Sequence, residues 1–252
     1  MNKKSKKRLV IFKILPKVLF FVLFIILTKV KFSLILGTDT QFSASVMFGP
    51  VISNFLGIGW GLAVIILSHL FGIVIGLYKV KSAISWLTFA PIIIAGIYFS
   101  KMFKGDTRLV LIPLFCILLF FSHPIGREVW YYSLFWVIPI FIASFKTKLD
   151  KLLKKHIVQV YVYSLGSALT DHSIGSIIYL YFINIPAKFW VEAIPFTLVE
   201  RAMIAAGITL SYFAVKVSIS FLQQAMRTMT LAKSQKETRQ GYVHAQTRSK
   251  KN

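Results

Sequence analysis

Apolar runs close to the thickness of a bilayer, separated by bursts of Lys and Arg, recur from one end of this chain to the other. A helix that crosses about 30 Å of hydrocarbon needs about 20 largely apolar residues. The pattern predicts an all-α, polytopic transmembrane helical bundle. Composition agrees: hydrophobic residues make up 56% and charged residues 15%, whereas soluble domains carry about 25% charged residues. A single cysteine, Cys116, excludes an internal disulfide framework and any Cys-rich zinc or iron–sulfur site.

Eight spans are expected: Ile14–Leu36, the short Phe42–Gly57, Trp60–Tyr78, Ala83–Ser100, Leu109–Ser122, Val129–Phe145, Ile157–Phe182, and Phe189–Val215 running on toward Leu222. The first is read as an uncleaved span with a cytoplasmic start, because no small-x-small cleavage site follows it. Residues 1–222 then form the membrane domain. Residues 223–252, basic and poor in large apolar side chains, form a solvated and partly disordered cytoplasmic tail suited to anionic lipid.

The formal charge of +22 invites a nucleic-acid reading. The cations, however, sit between apolar runs and are not interleaved with aromatics on one surface, so no nucleic acid is expected. With eight spans, both termini share a side that holds twenty-three of the thirty Lys and Arg; six lie on the other, and Arg201 alone is within the bilayer. The positive-inside rule makes the rich side cytoplasmic. The expected location is the cell membrane, multi-pass.

Ionisable groups inside a span are costly and mark function by default. They fall at His69, at Asp171-His172, and at Glu200-Arg201. Counted from the outer face at 1.5 Å per residue, His69, Asp171 and Glu200 all lie roughly 14–17 Å deep. Equal depth suggests one polar locus for substrate, if the three helices touch. The competing reading is structural: Arg201 pairs with Asp171 or Glu200 and holds two helices together. A metal held by His69, Asp171 and His172 is disfavoured, because neighbours on a helix point about 100° apart; no metal or cofactor is expected.

Small residues mark close helix contacts, Gly72 with Gly76 and Ala202 with Ala206. Gly57, Gly59 and Gly61 suit a tight turn. No G-x-x-x-x-G-K-[ST], H-E-x-x-H or G-x-S-x-G is present, so no catalytic residue is assigned and the chain is not expected to be an enzyme.

The stretch Met47-Phe48-Gly49-Pro50-Val51-Ile52-Ser53-Asn54-Phe55-Leu56-Gly57-Ile58-Gly59-Trp60-Gly61-Leu62-Ala63-Val64 resembles the second and third helices of the substrate-binding S components of energy-coupling-factor (ECF) transporters. Those proteins have a short span, a Gly-rich turn, then a small-residue helix. Thr170-Asp171-His172 through Pro195 and Glu200-Arg201 is similar to the last two helices of archaeal-type members. The resemblance implies a vitamin or metal ion captured near the outer face, under the loop after the first helix, here Gly37-Thr38-Asp39-Thr40-Gln41. It also implies a shared transmembrane coupling subunit driven by ATPase subunits. By resemblance Asp39 and Gln41 become lid candidates, and Glu192 and Asp171 pocket candidates. Read from the residues alone, Asp39 and Gln41 suit a solvated turn, and Glu192 an interfacial pair with Lys188. The chain departs from that family in having eight expected helices where six are usual, the surplus being Leu109–Phe145. It also lacks an Ala-x-x-x-Ala pair in Val18–Thr28.

The expected function is capture of a small solute for uptake, energised by partner subunits. The alternative is a non-catalytic membrane scaffold or envelope-assembly protein, in which the buried charges only tie helices together.

Overall fold

The computed structural model describes residues 3–34, 41–183 and 185–249, with side chains described over 14–32, 41–82, 84–106, 108–183, 185–224 and 228. The chain is helical almost throughout. Helix α1 (Lys3–Thr28) leads into an antiparallel hairpin, β1 (Lys31–Leu34) with β2 (Gln41–Ser43). Gln41 therefore lies in a strand, where a solvated turn was expected. Asp39, with residues 37, 38 and 40, lies outside the described residues.

Helices α2 (Ser45–Leu56) and α3 (Ile58–Val74) follow. Gly57 joins them with φ of 80°, a conformation that disfavours a Cβ. Gly59 and Gly61 are inside α3 rather than in the turn; Gly61 lets the helix approach the backbone of Ser53. Helix α3 stops at Val74 because Gly76 adopts φ of 77° and Leu77 N–H donates to Gly72 O at 2.7 Å. The pair Gly72–Gly76 is therefore not a helix-packing motif: Gly72 receives the ring of Tyr78, and Gly76 makes a turn.

Helices α4 (Ala83–Leu87) and α5 (Ala90–Met102) follow, the second opening with Pro91 in its first turn. Then come a short 3-10 turn (Thr107–Val110), α6 (Leu111–Ser122) and α7 (Pro124–Glu128). A 3-10 segment (Trp130–Trp136) continues into α8 (Val137–Ser144), and the chain bends by 77° into α9 (Lys146–Leu152). Helices α10 (His156–Phe182) and α11 (Ala187–Ser249) complete the chain.

Helix α5 packs between α2 and α10, while α1 lies on α2 and α3, and α6 and α8 lie on α10. The α5–α10 contact is close because Gly166 accepts the ring of Tyr98, whose hydroxyl donates to Pro139 O at 2.7 Å. Ser167 Oγ donates to Ala95 O at 2.9 Å across the same contact. A second core joins Cys116, Phe120, Tyr132, Trp136, Leu180 and Trp190.

Among the described residues, two helical stretches are long and apolar enough to cross a membrane, Ile84–Met102 and Ala187–Gln224; the bent pair Trp130–Ser144 with Lys146–Leu152 makes a third if counted as one. Ile14–Thr28, Ser45–Leu56, Ile58–Val74 and Arg108–Ser122 are apolar but shorter. The expected eight spans thus meet two or three of full length. The shortfall has local causes. Apolar runs include strand residues at Phe42 and Ser43 and the turn beyond Val74. The 27-residue α10 is long enough, but Ser164, Ser167, Thr170, Asp171, Ser173 and Ser176 lie buried along it and lower its apolar character.

The chain divides into two compact units, Met1–Ser211 and Tyr212–Asn252, eleven residues earlier than the expected boundary. In the second unit α11 continues as helix to Ser249. That unit contains no proline, and its many Ala, Gln, Lys, Arg and Met residues favour helix. In the first unit the buried side of α11 runs through Thr197, Arg201, Ile204, Ala205, Ile208 and Thr209. Ala206 is exposed, so the close contact on this helix is made instead by Gly207 against Met47.

Candidate functional site

The polar groups of α10 and α11 meet in the first unit. Thr197 and Arg201 are four residues apart and share a helix face. Arg201 is 2% exposed, and its Nη1 donates to Asp171 Oδ2 at 3.0 Å. Its Nη2 donates to Glu200 Oε2 at 2.7 Å. The two sequence alternatives for Arg201 are thus both realised. The flat guanidinium serves two carboxylates at once, which an ammonium does poorly. Phe42 of β2 covers it, the ring centroid 4.8 Å from Cζ. Charge-assisted hydrogen bonds and the aromatic face offset part of the cost of removing three charges from water.

His172 points a different way, as the 100° step per residue requires. Trp136 Nε1–H donates to its Nδ1 at 3.1 Å. Tryptophan can only donate, so Nδ1 carries a lone pair and the proton of the neutral ring sits on Nε2. Nε2–H donates to the Tyr132 hydroxyl at 2.9 Å, and that hydroxyl lies 3.1 Å from Thr197 Oγ1. Four side chains from three segments are fixed by one chain of hydrogen bonds.

His69 on α3 is enclosed by rings: Phe24 and Tyr78 at 5.3 Å each and Phe89 at 4.2 Å between centroids. Its Nδ1–H donates to Ile65 O at 2.9 Å. Thr28 Oγ1 donates to Phe24 O at 2.9 Å, which leaves the Tyr78 hydroxyl to donate to Thr28 at 3.2 Å.

One cavity of about 1350 Å³ connects these groups. His69, Asp171, His172, Glu200 and Arg201 all line it, with Gln41, Phe42 and Ser43 from the hairpin. Glu192 is exposed and does not line it; Ala193, one 100° step further on, does. Among the described residues no group of three or more His, Cys, Asp or Glu is arranged to hold a metal ion. The reason is visible in the hydrogen bonds, since Asp171 turns to Arg201 while His172 turns to Tyr132 and Trp136.

Sequence reasoning missed Tyr132, Trp136, Thr197 and Phe42. Thr197 was accessible through its four-residue spacing from Arg201. Tyr132 sits in the run Trp130-Tyr131-Tyr132, which reads equally well as an interfacial belt. Phe42 carried no signal beyond its place beside Gln41.

No family model matches the chain, and no solved structure matches it. The chain is 31% identical over 143 residues to a protein of Methanocaldococcus jannaschii named uncharacterized protein MJ0923. The match covers 54% of this chain and 47% of that protein, so the chain spans about half the length of the relative it matches.

Proposed function

We propose that the chain is a multi-pass protein of the cell membrane that captures a small solute for uptake, energised by partner subunits. The observation that carries this reading is the 1350 Å³ cavity into which α3, α10, α11 and the hairpin bring His69, Asp171, His172, Glu200, Arg201 and Gln41. Small-molecule sites usually occupy about 300–1,000 Å³, so this void is larger than most, but a few convergent polar groups among aromatic walls are their usual lining.

The distribution of polarity supports a lipid setting. Large apolar side chains are exposed along α1 (Leu15, Val18, Leu19), α3 (Leu67, Leu70, Phe71), α6 (Leu111, Phe115, Leu118) and α11 (Leu198, Val199, Leu210). Ser53, Ser68, Ser164, Ser167, Thr170 and Ser173 are buried, as are Asp171 and Arg201. Water would oppose that arrangement, whereas hydrocarbon favours it. In this reading α1, α2, α3, α4 with α5, α6, the Trp130–Ser144 segment, α10 and α11 are the eight membrane-embedded segments. Both ends are then cytoplasmic, and basic loops face anionic lipid. Trp60, exposed and covered by Lys17 Nζ at 3.3 Å, is the kind of pair that anchors a helix end at an interface.

The resemblance to S components supports the same function. It adds a transmembrane coupling subunit and ATPase subunits as partners, with the hairpin in the place of the lid. A scaffold protein is the rival, and the Arg201–Asp171 pair favours it equally, since it ties α10 to α11. Mass spectrometry of small molecules and metals retained by the detergent-purified chain separates the two. Solute capture predicts a stoichiometric retained molecule that is lost in Asp171→Asn while the fold persists. A chain that purifies empty from its own host, without coupling subunits, defeats the transport reading.

A further inference from the structure

The inference rests on the solute-capture reading and concerns what the cavity selects. We infer that its occupant is an organic cation bearing N–H donors, seated on Asp171 and His69 between aromatic rings.

Two of the free polar atoms at depth are acceptors. The Asp171 side chain is 10% exposed, and its Oδ2 is taken by Arg201. Its Oδ1 has no partner among the described residues. His69 is 6% exposed, and its Nδ1–H is committed to Ile65 O. The neutral ring therefore offers Nε2 as a lone pair, again without a partner among the described residues. Both residues line the cavity, from different helices.

The N–H donors nearby are already used, and the Thr197 hydroxyl, which accepts from Tyr132, keeps one proton to give. Both Nη atoms of Arg201 are on carboxylates, Trp136 is on His172, and Tyr132 is within the chain that ends at Thr197. Arg201 Nε makes no hydrogen bond, but it is sealed within protein. A ligand arriving with acceptors finds few donors at this depth, while one arriving with N–H groups finds two acceptors.

Charge points the same way. Asp171 and Glu200 together outweigh Arg201 by one negative charge. Lys31 and Lys79 also line the cavity but are exposed. Two charges 4 Å apart interact by about 1 kcal/mol in water and about 4 kcal/mol at the effective dielectric near protein. The buried carboxylate therefore dominates the exposed ammonium groups. Phe42, Tyr78, Phe89, Tyr132 and Trp190 line the same space, and aromatic faces attract cations.

The test uses three probes of one shape and different charge, titrated calorimetrically into the purified full chain in detergent at neutral pH: benzamidine (cationic), benzamide (neutral) and benzoate (anionic). Benzamidine is expected to bind at least about tenfold more tightly than benzoate, with benzamide between. Asp171→Asn is expected to erase the preference. The wild-type ranking decides the matter even if that variant fails to fold. A preference for benzoate or benzamide, or a preference for benzamidine that survives in folded Asp171→Asn, overturns the inference and leaves solute capture standing. No binding of any probe up to about 10 mM overturns it too. If the purified chain also carries no retained molecule, the solute-capture reading falls with it.

Discussion

Arg201 and Asp171 lie thirty residues apart in sequence, yet their side chains meet at 3.0 Å between α11 and α10. Glu200 holds the other arm of the same guanidinium at 2.7 Å. The consequence is asymmetric. The cluster contributes modestly as a whole, because burying it is costly, but removing its one cation leaves two carboxylates facing each other.

Arg201→Met is therefore expected to destabilise the chain by about 3–5 kcal/mol. Arg201→Lys should fall between it and the wild type, since an ammonium lacks the fork that serves two carboxylates. Thermal unfolding in detergent, followed by circular dichroism, measures both. A Met variant as stable as the wild type would show that the cluster does not hold α10 to α11.

Two glycines two positions apart on α3 should behave oppositely. A Cβ on Gly61 would lie 2.4 Å from Ser53 Cα, a backbone atom that cannot swing aside, whereas nothing lies within 4 Å of one on Gly59. Gly61→Ala should cost about 1–3 kcal/mol through overpacking. Gly59→Ala should be neutral or stabilising by about 0.5–1 kcal/mol, because alanine favours helix. The same unfolding assay ranks them.

Tyr132→Phe should cost about 1–3 kcal/mol, since it leaves His172 and Thr197 without the hydroxyl that links them. Thr197→Val removes only the outer end of that chain and should cost less. The difference between the two melting temperatures tests whether Tyr132 is the central link.

Asp106, in the turn after α5, binds Arg108 and Lys101 at 2.9 Å each. Hydrogen bonding to Arg108, then to Lys101, holds its carboxyl well below the ordinary range. A carboxyl depressed on folding contributes stability that is fully present above its unfolded value of about 4 and is lost as pH falls through the folded value. The stability gap between wild type and Asp106→Asn should thus be constant from neutral pH to about pH 5 and shrink below about pH 4. Melting temperatures across that range test it; a gap that widens in acid contradicts the assignment.

Much of the site could be read from the chain because cost is informative there. Few charges occur in the apolar runs, and counting residues put His69, Asp171 and Glu200 at one depth; a common cavity joins them in the structure. Other features were hidden for identifiable reasons. Gly76 looks like half of a packing motif until its φ of 77° is known. The 77° bend after Ser144 has no proline within four residues, Pro139 lying five residues before it, and is marked in the sequence only by a change from apolar to basic residues. The Arg201 cover by Phe42 depends on a strand pairing across residues distant from α11, which no helical periodicity reveals.

The bend into α9 also ties that helix to the site. Asp150 on α9 accepts from Lys146 and from the hydroxyl of Tyr163 on α10, and Gln159 Nε2 donates to Leu153 O at 2.7 Å. Tyr163 and Asp171 stand eight residues apart on one helix, a separation of about 12 Å. A helix pinned at both places holds the Asp171 carboxylate and the lysine-rich elbow at a fixed spacing along one rod.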